Sequence, residues 1–146
     1  MSTENICALP VANITASDCI LFLWTTCPNL PDALMVVNSW GFTYKTVAFV
    51  WVKTNRDGSP FMGLGHWSRA NAELCLLATK GKPKRVNKAV NQIVFAPKRE
   101  HSRKPDEVRK RIVELMGDLP RIELFAREKQ SGWDVWGNEV NKFCDN

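Results

Sequence analysis

Two short segments near the carboxyl end gather residue types suited to gripping a small ligand: RIELFARE at 121–128 and GWDVWGNE at 132–139. In the first, an apolar strand carrying Ile122 and Leu124 runs into Phe125, Ala126 and Arg127. In the second, a Trp-rich strand ends on Gly137, Asn138 and Glu139. An aromatic ring such as Phe125 can pack on a flat heterocycle while Arg127 or Glu123 bonds a polar group beside it. An amide followed by a carboxylate offers both donors and acceptors, a pairing suited to ribose hydroxyls or an amino group. The same residues have plainer uses: Phe125 as core, Arg127 as a surface cation, Asn138 as a helix cap with Glu139 in the first turn. Residue type alone leaves both open.

The elements that must position these groups follow from periodicity and punctuation. Residues 4–10 predict a short helix capped by Ser2 or Thr3. CILFLWT at 19–25 is a continuous apolar run of strand length, which predicts a fully buried, parallel-type strand. Leu30, Leu34, Val37 and Trp40 recur at helical spacing before the stop at Gly41. Strands are predicted over 42–53, 72–80 and 92–97, with a long Gly-rich loop at 55–71 and a basic connector at 81–91. Pro105 opens a helix with Asp106 and Glu107 near its positive end and Val108, Ile112, Leu115 and Met116 on its buried face. Gly117 ends it, and Pro120 introduces the strand RIELFA.

Apolar strands alternating with helices predict an α/β domain with a mainly parallel sheet, in which ligands sit at the carboxyl ends of the strands. The polar ends at 25–27, 53–56, Lys80, 97–104, 125–127 and 137–139 are therefore the candidate positions. A single domain is expected over 1–140, followed by a frayed tail at 141–146.

Bulk composition narrows the class. The chain has no apolar run of about 18 residues, the length a membrane span needs, and MSTENICALP lacks the basic and apolar regions of a secretory signal. Five scattered cysteines without a C-x-x-C pair, and two distant histidines, argue against a zinc site or a disulfide framework. Reduced thiols in a cytoplasmic protein are expected, with Cys19 and Cys75 as small core residues. Net charge is +5, but residues 80–111 hold twelve of the 20 Lys and Arg against three acids. This +9 band on a −4 remainder suits a polyanion such as nucleic acid, or is simply a solvated basic face.

Several segments stand in a telling order: L-P at 9–10, ILFLWTT at 20–26, G-F at 41–42, G-x-W at 65–67, E-L-x-L-x-x-x-x-G at 73–81, HSRKPDEV at 101–108, RIELFAR and GWDVWGNE. Together they resemble the adenine-specific N-6 methyltransferase family, which includes the catalytic subunit of the mRNA 6-methyladenosine writer and phage and bacterial DNA adenine methyltransferases. The likeness runs from about Met1 to Val140. It implies a Rossmann-like S-adenosylmethionine-dependent methyltransferase fold. By the same resemblance Lys104 would face the methionine carboxylate of the cofactor. Glu123, Phe125 and Arg127 would flank its ribose and adenine. Asn138 would contact the ribose, and Glu139 matches a position that varies between Glu and Gln. His66, Trp67 and Arg69 match a segment near the substrate or a partner subunit. Lys82, Lys84, Arg85, Lys88 and Arg103 would belong to a phosphate track. Trp24 and Trp51 read as core, from their apolar strand contexts.

The resemblance also implies a part that these residues do not contain. Adenine's exocyclic nitrogen is a poor nucleophile because its lone pair is delocalised into the ring. The family meets this with an Asp-Pro-Pro-aromatic tetrapeptide at a strand end, whose acid accepts from the amino group while its ring stacks on the flipped base. No Asp-Pro-Pro occurs in the sequence, and Pro28-Asn29-Leu30-Pro31-Asp32 has the wrong order. The implied fold thus lacks the N-terminal catalytic strand, and no catalytic residue is assigned. The expectation is an adenine methyltransferase domain, phage or bacterial and acting on DNA ahead of RNA, that is inactive alone, from a clipped gene product or beside a catalytic or homologous partner subunit. The alternatives are a non-catalytic nucleic-acid-binding subunit on the same fold, or an unstable remnant with exposed sheet edges.

Overall fold

A computed structural model describes residues 1–100 and 103–143; His101, Ser102 and the last three residues, Cys144 included, lie outside the described residues. Helix α1, Thr3–Cys7, opens on Ser2, whose hydroxyl accepts from the Asn5 amide at 3.2 Å. Strand β1 spans Cys19–Thr26 and helix α2 Leu30–Ser39, with Pro31 in the first turn where a missing N–H costs nothing. Strands β2, Thr43–Thr54, and β3, Ala72–Lys80, flank the loop at 55–71. Strand β4, Ile93–Pro97, leads to helix α3, Asp106–Met116, which stops where Gly117 takes φ 83°. Two short strands follow, β5 at Ile122–Leu124 and β6 at Asp134–Trp136. The strand expected over RIELFA ends early because Phe125 adopts φ 58° and leaves the extended course.

The four-stranded sheet has the order β1-β3-β2-β4, and it is not mainly parallel. Strand β3 runs antiparallel to both neighbours, Thr26 opposite Glu73 on one side and Trp51 opposite Glu73 on the other; only β2 and β4 pair in parallel. The physical reason lies in the connection between β2 and β3. Residues 55–71 contain no helix to carry the chain back across the sheet, so β3 re-enters from the end where β2 left and must run backwards. Strands β1 and β2, joined through α2, keep a common direction with β3 inserted between them. A separate two-stranded sheet pairs β5 and β6 in parallel, Leu124 opposite Trp136.

β1 is therefore an edge strand rather than a buried parallel one, and no strand among the described residues pairs with its outer side. Its unbroken apolar run is explained by cover on both faces. Cys19, Leu21 and Leu23 pack into a cluster with Val11, Val36, Val37, Trp40, Phe42 and Ala78. Phe22 and Trp24 pack on the opposite face with Phe49, Cys75, Val94 and Val108, which brings in α3. The first cluster is closed by the Trp40 indole, which donates to the Ile6 carbonyl at 2.9 Å and ties α2 to α1. Leu124 of β5 packs against the same cluster, so the small sheet shares a core with the large one.

The Phe143 amide donates to the Arg127 carbonyl at 3.0 Å, and its ring lies 4.5 Å from the Arg103 guanidinium. Among the described residues no helix is long and apolar enough to cross a membrane.

Central burial and loop exposure make opposite stability forecasts. Leu76 is fully buried on β3 and Leu64 is almost fully exposed on the loop. Leu76→Ala should cost about 2–5 kcal/mol, while Leu64→Ala should stay within about 0.5 kcal/mol of the parent chain, both read from urea midpoints.

Candidate cofactor and nucleic-acid site

Because β3 is reversed, its amino end meets the carboxyl ends of β1, β2 and β4. This brings Glu73, which opens β3 as the lone acid of an apolar strand, beside Trp24, Trp51 and Lys53. Glu73 is only 7% exposed. Its carboxylate accepts from Lys104 Nζ at 2.8 Å and lies 3.7 Å from Lys53 Nζ. The two indoles meet edge to face at 6.3 Å, and the Lys104 ammonium lies 5.4 Å from the Trp24 ring and 6.0 Å from that of Trp51. Lys53 lies 5.2 Å from the Trp51 ring. Trp51 is fixed from behind, its indole N–H donating to the Ala96 carbonyl at 2.9 Å. The result is a niche with aromatic walls, a buried acid and two cations that balance it, each with an apolar stem along the ring faces.

Cys75, two residues on and on the same face of the sheet, is fully buried. Burial pushes its thiol up to about 12, and the nearby Lys104 charge only partly opposes this. The thiol is thus a neutral packing group at physiological pH.

The second assembly is built from the strand ends at 125–127 and 137–139. The positive φ of Phe125, uncommon for a residue with a bulky side chain, turns its ring against Trp136 at 5.4 Å and 77°. The ring stays 44% exposed. Gly137 lets the strands approach: a Cβ there would stand 3.0 Å from the Phe125 Cα. Beyond it Asn138 and Glu139 are exposed, and Arg127 lies 3.4 Å from Glu139. Phe125, Arg127, Asn138 and Glu139 therefore do converge, at the carboxyl ends of β5 and β6. Glu123 faces α3 instead, where Arg109 grips it through Nε and Nη2 at 3.0 and 3.1 Å.

The predicted phosphate residues fall into separate groups. Lys82, Lys84, Arg85 and Lys88 are exposed on the connector, which docks on the far end of α3 through the Val86 amide and the Leu115 carbonyl at 2.8 Å. Lys98 and Arg99 sit at the near end, where Arg99 pairs with Asp106 at 3.0 Å. Eleven helical residues separate the two, roughly 16 Å. Arg103 belongs to neither solvent face: it pairs with Glu100 at 3.1 Å and Glu128 at 3.0 Å. His66 and Arg69 are exposed on the long loop beside Trp67, which is fully exposed. Lys80, a candidate in a parallel sheet, lies at the opposite end of the domain, donating to Thr15 Oγ1 at 2.9 Å.

Sequence reasoning missed Glu73, because a parallel sheet would have placed the head of β3 away from the site. Its signal was present, a single carboxylate at the start of an otherwise apolar strand. Glu128 and Arg109 were also missed; both are ordinary charged residues until the fold brings them together.

The sequence profile of the MT-A70 family matches residues 1–139. The chain is 41% identical over 142 residues to the type II methyltransferase M.MunI of a Mycoplasma species, covering 96% of this chain and 58% of that protein. It is 36% identical over 151 residues to the N(6)-adenosine-methyltransferase MT-A70-like protein of Arabidopsis thaliana, covering 97% of this chain and 21% of that one. It is 32% identical over 137 residues to the human N(6)-adenosine-methyltransferase catalytic subunit METTL3, covering 88% and 23%. The chain thus spans a little over half of the Mycoplasma relative and about a fifth of the plant and human ones.

Two measurements test the niche. Glu73→Gln leaves two lysines around an uncharged amide and should destabilise the chain by about 1–3 kcal/mol in denaturant titration. In the native chain Cys27, which is exposed, should alkylate readily at pH 8 while Cys75 stays unlabelled. With its folded pKa raised, Cys75 keeps its proton when the unfolded thiol has lost it. Its contribution is therefore fully present below the ordinary thiol range and is lost as pH rises from there towards 12.

Proposed function

The chain belongs to the MT-A70 family of adenine N6-methyltransferases, and we propose that it binds S-adenosylmethionine and nucleic acid in a reaction at the exocyclic amino group of adenine. The observation that carries this reading is the convergence of an exposed Phe125 ring, Arg127, Asn138 and Glu139 at two parallel strand ends. That donor set fits an adenosyl group. The ring offers a flat apolar face, the Asn138 amide and Glu139 carboxylate offer partners for ribose hydroxyls, and Arg127 orients Glu139. Glu123 acts at one remove, holding β5 against α3 through Arg109. When bound, the cofactor supplies an electrophilic methyl on a sulfonium centre.

Lys104 has three N–H donors, of which Glu73 takes one. The ammonium can therefore face a cofactor carboxylate while it remains anchored in the niche. Trp51 is buried and Trp24 half-buried, so the two indoles act as core supports, as their apolar strand contexts predict, and with the Glu73 carboxylate they fix the direction in which the Lys104 ammonium points. The polymer is proposed to be DNA, following the likeness to phage and bacterial DNA adenine methyltransferases and the 41% identity to the Mycoplasma type II enzyme. The exposed connector cations Lys82, Lys84, Arg85 and Lys88 suit phosphates of the backbone, with Lys98 exposed at the other end of α3.

The Asp-Pro-Pro-aromatic tetrapeptide is not among these 146 residues. The isolated chain is accordingly proposed not to transfer methyl on its own, and to need that acid from elsewhere. A second reading, a non-catalytic nucleic-acid-binding subunit beside a catalytic or homologous partner, is favoured by one observation: Leu64 and Trp67 stand exposed on a Gly-rich loop, a composition suited to a partner surface.

Calorimetry separates the two. The first reading expects S-adenosylmethionine to bind the 146-residue chain and Asn138→Ala to weaken it at least about tenfold, near 1.4 kcal/mol; absence of cofactor binding by the parent chain would favour the second. Under both, Lys84→Glu with Arg85→Glu should weaken DNA binding and shallow its salt dependence by about two phosphate contacts. Methyl transfer to DNA by the isolated chain would overturn the proposed dependence on an outside acid.

A further inference from the structure

We propose that Glu128 is a positioning residue, bracing Arg103 so that Lys104 is presented to the niche. In this way the strand end after β5 and the niche at the head of β3 are held by one pair of adjacent side chains. The functional meaning of the brace rests on the reading above, whereas its existence does not.

Arg103 and Lys104 are consecutive, and their side chains leave the backbone in different directions. Lys104 enters the niche and donates to Glu73 at 2.8 Å. Arg103 turns to the small sheet, donating to Glu128 Oε2 at 3.0 Å with its guanidinium 4.5 Å from the Phe143 ring. Glu100 also accepts from Arg103, at 3.1 Å to each oxygen. That partner is three residues away on the same loop, so it cannot fix the loop against the rest of the molecule. Glu128, 25 residues away, can.

Glu128 is itself well placed to carry load. It is half-buried and lies 3.5 Å from Arg109, which is locked to Glu123 by two hydrogen bonds. One carboxylate therefore joins the loop, α3 and the segment directly after Arg127. The Arg103 Nε is buried without a hydrogen-bond partner, so the hold depends on its two terminal nitrogens. A ligand seated on Phe125 and Arg127 acts on the residue next to Glu128. Through Glu128 and Arg103 its occupancy is transmitted to Lys104.

The test uses the complete chain without ligand. Two readouts report on the brace: hydrogen exchange at the Arg103 amide, which donates to the Glu100 carbonyl at 2.8 Å, and acylation of Lys104 by an amine-reactive ester, followed by mass spectrometry. In Glu128→Gln, Lys104 acylation and Arg103 exchange should each rise several-fold, with exchange in β3 unchanged and the melting temperature lowered by a few degrees at most. Arg103→Gln should do the same, and the double variant should add nothing further. If Glu128→Gln does not fold, Arg103→Gln, which leaves the Glu128–Arg109 pair in place, supplies the readout. The proposal is overturned if Lys104 acylation is unchanged, if exchange rises throughout the chain, or if Arg103→Gln responds and a folded Glu128→Gln does not. S-adenosylmethionine titration then separates the brace from the function. Tenfold weaker binding in Glu128→Gln ties the two together. If the parent chain does not bind cofactor, the functional reading fails while the exchange and acylation results still judge the brace.

Discussion

The Glu73 carboxylate, buried between two lysines at the head of β3, is the interaction on which the rest of the arrangement depends. A carboxylate in a nearly dry site is tolerable only when paired and hydrogen-bonded. Lys53 comes from β2 and Lys104 from the loop after β4, so this one acid draws three separate stretches of chain to the same end of the sheet. The indoles of Trp24 and Trp51 line the lysine stems and keep water away from the pair. The charge on Glu73 fixes Lys104 at that end, beside the Arg99–Asp106 and Arg103–Glu128 pairs that hold its neighbours.

Much of this architecture is legible in the sequence, and what is not has a common cause. Helix α3 declares itself through Pro105, the acids of its first turn and Gly117, all local signals of capping and dipole. The strands over CILFLWTT, FTYKTVAFVWVK and AELCLLATK are equally plain. Strand direction is not, because it depends on the path between strands rather than on their residues. The loop at 55–71 looks like a functional insertion in the sequence; that it also reverses β3 emerges only when both of its ends are seen at one side of the sheet. Reversal moves Lys80 away from the site and Glu73 into it. Burial on both faces, which made β1 look like an interior parallel strand, is achieved at an edge by helices on either side.

Charge behaves similarly. A +9 segment reads as one basic patch, yet the fold divides it. The connector cations point to solvent, whereas Arg99, Arg103, Arg109 and Arg111 are taken up by acids of their own neighbourhood. Half-buried arginines with carboxylate partners are internal fasteners, with little field left for a polyanion. The electrostatic footprint is thus smaller than the composition suggests and rests mainly on the exposed connector cations Lys82, Lys84, Arg85 and Lys88. The strand-end motif fared better: Phe125, Arg127, Asn138 and Glu139 all lie within a few residues of one strand pair, and short-range geometry preserves what sequence proximity implies.

The outer side of β1 has a practical consequence. Eight residues run from Cys19 to Thr26 without a charge or a proline, and their backbone groups on that side meet no strand of the described residues. Sheet edges are normally blunted by lysine, proline, a bulge or a covering element. The bulges here lie in β2, on the interior of the sheet. Such a border is a template on which another strand can add to the sheet, and none of the 20 Lys and Arg residues lies on β1 to discourage it.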